Sequence, residues 1–181
     1  IGCLLCSMDK LANTASVYGA FLKKFKTSAQ ESFKLIPIHT NQILNENNQA
    51  YNFDINSDNI LNKEYDIVYL DPPYNQRQYS ANYHPLNYIA KYDNKIEIYG
   101  KTGLIKDSNK SKYCQKSGAY ESLENLVKNL KTKHILLSYN NEGIIEFDKI
   151  KELLSSLGNV ILYKKVYKKF KSIDKQENEN V

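Results

Sequence analysis

The sequence has no tryptophan, one methionine and three cysteines among its 181 residues. It also lacks any apolar run close to the roughly 20 residues that a membrane-spanning helix needs, so we expect no membrane partner and no signal peptide. Cys3 and Cys6 form a C-x-x-C pair, but no second pair follows, which disfavours a zinc site. Few cysteines without a secretion signal predict a cytoplasmic protein.

Arginine is almost absent, since Arg77 is the single one and lysine supplies the other positive charges. The net charge of +5 is compatible with a nucleic-acid partner but does not establish one. The hydrophobic share of 41% and the charged share of 25% are typical of a soluble globular protein of one domain. The chain begins at Ile1 rather than at Met, which fits a fragment of a longer protein.

Glycine is sparse, and the phosphate-binding loops that depend on it are missing. The stretch from Tyr99 to Gly103 contains G-K-T, but the upstream glycine and the preceding strand of a P-loop are absent. The wider segment 97–118 is polar and rich in lysine, without clear periodicity. It is either a surface loop or an insert that reaches DNA phosphates, and both interpretations stay open.

The most informative stretch runs from Tyr65 to Asp93. Its residues 67–70 form a continuous apolar run, typical of a strand buried on both faces, and two prolines end that strand. Asp71 then lies at the carboxyl end of a buried strand, where open α/β sheets bind ligands. The Asp71 carboxylate and the Pro72 carbonyl are two acceptors for a planar amine, and Tyr74 offers a ring on which a base can stack.

The sequence Asp-Pro-Pro-Tyr at 71–74 resembles the catalytic motif of adenine-specific DNA methyltransferases, which transfer a methyl group from S-adenosylmethionine to adenine N6. Residues 75–79 and 82–84 resemble the extension of this motif in the DNA adenine methylase family. Further segments resemble the same family at 9–24, 140–143 and 167–171. The resemblance implies an α/β, Rossmann-like S-adenosylmethionine-dependent methyltransferase sheet. The family's glycine-containing cofactor loop is not in the sequence, so we expect this sheet to be incomplete at its N-terminal side.

The resemblance also implies roles for individual residues. The expected catalytic residues are Asp71, Pro72, Pro73 and Tyr74. Asp54 and Asp71 are expected to contact the cofactor, with Asp58 as a nearby alternative to Asp54. A larger set of polar, aromatic and basic residues is expected to bind double-stranded DNA: Asn75, Arg77, Gln78, Tyr79, Asn82, Tyr83, His84, Asn140, Asn141, Lys168 and Lys169.

Hydrophobic spacing predicts helices at 4–25, 85–92, 119–130 and 147–157, the last of them ended by Gly158. Strands are predicted at 51–53, 67–70, 135–139 and 160–166, and this alternation indicates an α/β sheet with crossover helices. We expect residues 1–172 to form the catalytic methyltransferase domain, with 97–118 as a DNA-recognition insert. The polar tail 173–181 is expected to be disordered.

Three functions of different classes follow from these observations. The first is a site-specific DNA adenine methyltransferase that acts on a flipped base in a restriction-modification system, with a cognate restriction endonuclease as genetic partner. The second is the same chemistry on RNA or on a protein amide. The third is a catalytically inactive DNA-binding remnant. The sequence predicts neither the target sequence nor the oligomeric state.

Overall fold

The structure is a computed structural model that describes residues 1–15, 17–19, 22–38, 47–92, 95–106, 108–168 and 177–180. The described helices and strands are, in chain order, α1 (Gly2–Leu11), α2 (Asp58–Leu61), β1 (Glu64–Leu70), α3 (Tyr79–Asn82), α4 (His84–Lys91), β2 (Ile98–Tyr99), β3 (Leu104–Ile105), α5 (Ala119–Asn129), β4 (Lys131–Leu137), α6 (Phe147–Ser155), β5 (Lys165–Lys168) and β6 (Glu177–Asn180). Short 3-10 turns lie at Thr27–Gln30 and Lys112–Cys114. In this part of the chain, no helix is long and apolar enough to cross a membrane.

The chain divides into two compact units. One unit comprises Ile1–Gln49 and Gln78–Lys110, and the other comprises Ala50–Arg77 and Ser111–Val181. In the first unit, α1 packs against α4, and β2 pairs antiparallel with β3, against which α3 and α4 pack. The predicted insert at 97–118 is therefore divided, because its β2–β3 hairpin belongs to the first unit and residues 111–118 belong to the second.

A parallel pair of strands forms the centre of the second unit. β1 and β4 run parallel, with Val68 opposite Ile135 and Leu70 opposite Leu137. The chain returns to β4 through α5, as expected for an α/β crossover. The buried core comprises Leu70, Tyr113, Ala119, Leu123, Leu126, Val127, Tyr139, Ile145, Ile150 and Leu153. These residues come from β1, from α5 and α6, and from the segments next to them.

The other face of this strand pair is open. Ile67 and Tyr69 on β1 are 60% and 65% exposed, and Leu136 on β4 is 53% exposed. The prediction that the strand at 67–70 is buried on both faces is therefore wrong, since alternate side chains point to opposite faces and the core covers one of them. The described residues form a mixed α/β structure with a small, partial parallel sheet.

Several predicted elements are confirmed, namely the helices α4, α5 and α6 and the strands β1 and β4. The long first helix is wrong, because α1 ends at Leu11 instead of continuing to Phe25. The Asn13 side chain accepts a hydrogen bond from the Lys26 amide at 3.0 Å and donates to the Leu22 carbonyl at 3.4 Å. An amide side chain that bonds to the backbone in this way competes with helix formation.

Two predicted strands also differ. Residues 51–53 form no strand, and the rings of Tyr51 and Phe53 stack instead, with centroids 5.6 Å apart. The strand predicted at 160–166 begins only at Lys165, because β5 starts where it pairs antiparallel with β6. β6 lies within the tail for which we expected no structure. Residues 169–176 and Val181 lie outside the described residues.

Candidate active site

The carboxyl ends of β1 and β4 lie side by side and carry the polar segments that the sequence singled out. The Ser138 amide donates to the Leu70 carbonyl at 2.9 Å, which continues the parallel pairing past the end of β4. The Ile144 amide then donates to the Tyr74 carbonyl at 2.7 Å. Because of these bonds, the Asp71–Tyr74 segment and the polar turn at 140–144 adjoin each other, as expected for neighbouring parallel strands.

The predicted catalytic segment, Asp71–Tyr74, is open to solvent on one side. Asp71 is exposed, whereas Pro72 and Pro73 are half-buried. The Tyr74 ring is also half-buried and packs against the core. This packing restrains the ring from one side. The arrangement is suited to presenting two oxygen acceptors and one ring to a planar ligand.

Hydrogen bonds within the turn after β4 stabilise its conformation. The Gly143 amide donates to the Asn140 carbonyl at 2.9 Å, and the Asn140 side-chain oxygen accepts from the Glu142 amide at 2.8 Å. The buried Tyr139 hydroxyl accepts from the Ile145 amide at 3.2 Å, and burial raises the pKa of Tyr139. The two predicted DNA contacts in this turn, Asn140 and Asn141, therefore occupy a fixed loop, of which Asn141 is exposed.

Asp54 lies in a second anchored turn of the same unit. Its carboxylate is exposed and accepts from the Asn56 amide at 2.9 Å. The Asn56 side chain donates to the Ser122 carbonyl in α5 at 2.8 Å and accepts from the Tyr113 hydroxyl at 2.9 Å. Burial, followed by the charge of Asp54, raises the pKa of Tyr113 to about 12, although the hydrogen bond with Asn56 opposes this. The turn of Asp54 is thereby fixed to the core.

A short 3-10 turn connects the Asp54 turn to Arg77, three residues after the Asp71–Tyr74 segment. The Cys114 thiol donates to the Arg77 carbonyl at 3.4 Å, and the Arg77 amide donates to the Asn75 side chain at 3.0 Å. Burial raises the pKa of the Cys114 thiol. Tyr113 and Cys114 are consecutive, so one turn restrains both Asn56 and Arg77. Sequence reasoning missed this turn, because no periodic pattern marks it.

The remaining aromatic and amide residues of the predicted DNA surface belong to the first unit. The carbonyl of Gln78 accepts from the amides of Ala81 and Asn82 at the start of α3. Tyr79 and Tyr83 are exposed, and their ring centroids lie 5.8 Å apart. That Gln78, Tyr79, Asn82 and Tyr83 contact DNA stays a prediction.

His84 has a different environment from the one we expected. Its side chain is 2% exposed, with Nδ1 2.8 Å from the Ala81 carbonyl oxygen and Nε2 2.7 Å from the Thr102 carbonyl oxygen. The ring therefore connects the start of α4 to the turn between β2 and β3. In this conformation both ring nitrogens are engaged within the unit, and neither is available to DNA.

The basic residues predicted to bind DNA near the end of the chain stay predictions. Lys168 lies in β5, and Lys169 lies outside the described residues. In the hairpin of the first unit, Lys106 forms an exposed ion pair with Glu97 at 2.9 Å. Over the described ranges, no group of three or more His, Cys, Asp or Glu side chains is arranged to hold a metal ion.

Comparison with known proteins adds the family. Residues 3–153 match the model of the D12 class N6 adenine-specific DNA methyltransferases. The chain is 46% identical over 177 residues to the type II methyltransferase M.NlaIII of Neisseria lactamica, which covers 98% of this chain and 52% of that protein. It is 41% identical over 181 residues to the type II methyltransferase M.FokI of Planomicrobium okeanokoites. That match covers 96% of this chain and 27% of that protein.

A viral protein is similar as well. The type II methyltransferase M.CviAII of Paramecium bursaria Chlorella virus 1 is 36% identical over 170 residues, which cover 93% of this chain and 50% of that protein. The chain thus spans about half the length of two of these relatives and about a quarter of the third. No solved structure matches the chain. The matched family model covers most of the chain, including Asp54 and the Asp71–Tyr74 segment, and the chain belongs to the family of D12 class N6 adenine-specific DNA methyltransferases.

Proposed function

We propose that the protein transfers a methyl group from S-adenosylmethionine to N6 of an adenine in double-stranded DNA. The observation that carries this proposal is the exposed Asp71 carboxylate after β1, followed by Tyr74, whose ring packs against the core and whose carbonyl accepts from the Ile144 amide. Membership of the family supports this type of reaction. The residues at this edge of the sheet supply the chemistry that such a reaction needs.

The target base is held by two acceptors and one ring. The Asp71 carboxylate and the Pro72 carbonyl accept the two hydrogens of the exocyclic amine, which favours a tetrahedral, nucleophilic nitrogen and stabilises the positive charge that develops on it. Tyr74 stacks on the flat base. An adenine inside a duplex cannot reach these groups, so the base leaves the helix before transfer. The Asp71 carboxylate accepts the proton lost from N6 and then releases it to solvent.

The residues present also fit part of a site for the methyl donor. S-adenosylmethionine supplies an electrophilic methyl group when it is bound. The carboxylate of Asp54 uses one oxygen for the Asn56 amide, and its other oxygen is suited to accept from the exocyclic amine of the donor's adenine. The anchoring of this turn to Ser122 and Tyr113 keeps the carboxylate in place.

The names of the relatives support a biological setting for the proposed reaction. Those described above are named type II methyltransferases, and a further relative from Lactococcus lactis, 36% identical over 151 residues, is named a modification methylase. We infer that the present protein protects DNA in a restriction-modification system with a cognate endonuclease. The β2–β3 hairpin within segment 97–118, with Lys101 in its turn, is our candidate for contacts to DNA.

The experiment compares substrates in parallel. The protein is incubated with S-adenosylmethionine that carries a labelled methyl group and with duplex DNA, structured RNA or a protein mixture. Label in duplex DNA alone, recovered as N6-methyladenine, is the expected result. Label in RNA or protein would support the same chemistry on another substrate. DNA binding without any labelled product would identify an inactive DNA-binding remnant.

A further inference from the structure

Gly143 lies directly against the ring of Tyr139, in the turn that adjoins the catalytic segment. A Cβ atom at Gly143 would lie 2.8 Å from Tyr139 Cζ and 2.9 Å from the Asn140 carbonyl oxygen, and closer still to Tyr139 Cε1, whereas real Cβ atoms stay beyond 3.0 Å. The ring has little room to move, because Tyr139 is buried in the core and its hydroxyl accepts from the Ile145 amide. A side chain at 143 would therefore displace the turn.

The residues that follow Gly143 make the bonds that hold the site together. The Ile144 amide donates to the Tyr74 carbonyl at 2.7 Å, and the Ile145 amide donates to the Tyr139 hydroxyl at 3.2 Å. Two consecutive amides thus bind the turn to the catalytic segment and to the core. Both bonds are made in a structure in which the backbone at Gly143 lies close to the Tyr139 ring.

We propose that Gly143 is a positioning residue for methyl transfer, because its lack of a side chain lets the 140–144 turn lie on Tyr139 and hold the Tyr74 carbonyl. The proposal rests on the proposed function. Tyr74 is three residues after Asp71 with two prolines between them, so a shift of the Tyr74 backbone is transmitted to the Asp71 carboxylate. A displacement on the order of 1 Å in an active site can lower a rate about a hundredfold.

Gly143→Ala is the test, with Gly158→Ala as its matched control. A Cβ at Gly158 meets nothing within 4 Å, and Gly158 lies after α6, outside the proposed site. Hydrogen exchange of the Ile144 amide and the kinetic constants for methyl transfer to duplex DNA are measured for both variants. For Gly143→Ala we expect exchange at Ile144 to rise and kcat to fall, each about tenfold or more, while KM for DNA changes by less than about threefold. Gly158→Ala should match the wild type.

Two results would overturn the proposal. One is an Ile144 amide that stays protected in Gly143→Ala, and the other is lost protection with an unchanged kcat. If Gly143→Ala does not fold, Tyr139→Phe decides the same point, because it keeps the ring and removes only the acceptor of the Ile145 amide. Faster exchange at Ile145 with a lower kcat supports the proposal, and an unchanged kcat contradicts it. A wild-type protein without methyl transfer would contradict the proposed function, and the exchange data would still decide whether Gly143 holds the turn.

Discussion

The hydroxyl of Tyr113 donates a hydrogen bond to the side-chain oxygen of Asn56 at 2.9 Å, between residues 57 positions apart in the sequence. Asn56 also donates to the Ser122 carbonyl in α5, and its backbone amide donates to the Asp54 carboxylate. The Asp54 carboxylate, which we propose binds the methyl donor, is therefore held by more than the hydrogen bonds of its own turn. It is connected to the core through one amide side chain.

Tyr113→Phe tests whether this connection matters for the methyl donor. The variant keeps the buried ring but removes the donor to Asn56, which loosens the turn that carries Asp54. We expect the dissociation constant for S-adenosylmethionine, measured by isothermal titration calorimetry, to rise about fivefold, as the loss of one hydrogen bond of about 1 kcal/mol predicts. The affinity for DNA should not change.

Tyr120→Phe is the matched control, because Tyr120 lies on the exposed side of α5. It should bind the methyl donor as the wild type does. Equal affinities of Tyr113→Phe and the wild type for S-adenosylmethionine would show that the position of Asp54 does not depend on the hydrogen bond from Tyr113 to Asn56.

The raised pKa of Tyr113 predicts how the free energy of unfolding depends on pH. Burial raises the pKa of Tyr113 in the folded protein from 10.0 to about 12. Because the folded-state pKa is above the unfolded one, the contribution of Tyr113 is fully present below about pH 10 and is lost as pH rises through about 12. The free energy of unfolding, measured with urea from about pH 9 to about pH 12, should fall as pH rises. Tyr113→Phe should flatten that fall, and an identical slope in the variant would contradict this assignment.

His84 is expected to hold the hairpin of the first unit in place. His84→Leu leaves the carbonyl groups of Ala81 and Thr102 without their partner in a buried place, which costs about 1 to 3 kcal/mol. A neutral imidazole donates from one ring nitrogen and an imidazolium from both, so the wild-type ring satisfies at least one of the two carbonyls. Hydrogen exchange across residues 97–106 should become faster in the variant.

The control for this experiment is His134→Leu, since His134 is exposed on β4 in the second unit. It should leave exchange at 97–106 unchanged. Equal exchange in His84→Leu and the wild type would show that the hairpin does not depend on His84.

Tyr74→Ala separates base stacking from DNA affinity. Removal of the ring should lower kcat by about five- to a hundredfold, because stacking of a base on an aromatic side chain contributes about 1 to 3 kcal/mol. The affinity for duplex DNA at low salt should stay within about twofold, because phosphate contacts supply most of it. Tyr74→Phe keeps the ring and should retain most of the activity. An unaffected kcat in Tyr74→Ala would remove Tyr74 from the stacking role.

The features that the sequence predicts well have a local cause. The apolar run that ends at two prolines predicted the end of β1 and the position of Asp71, because prolines cannot continue a strand. The spacing of apolar residues predicted α5 and α6 for the same kind of reason. The resemblance to the methylases then named Asp54 and Asp71, which lie in one unit of the structure.

The features that were missed depend on contacts between distant residues. α1 ends early because Asn13 bonds to the backbone of residues 22–26, and no spacing of apolar residues reveals such a bond. The connection from Tyr113 to Asn56 and the contact between Gly143 and Tyr139 arise only once the chain has folded. Among these, Gly143 alone carried a visible signal, as a glycine in a polar turn after a predicted strand.

Asp71→Asn, compared with Asp66→Asn, tests most directly whether Asp71 takes part in methyl transfer to adenine N6. Asp66 is the matched control, since it lies on the same strand and its exposed carboxylate forms an ion pair with Lys133. The measurement is the amount of N6-methyladenine in DNA after incubation with S-adenosylmethionine. We predict that Asp66→Asn matches the wild type and that Asp71→Asn loses about a hundredfold or more of the activity while it still binds DNA. Wild-type levels of N6-methyladenine from Asp71→Asn would contradict the account.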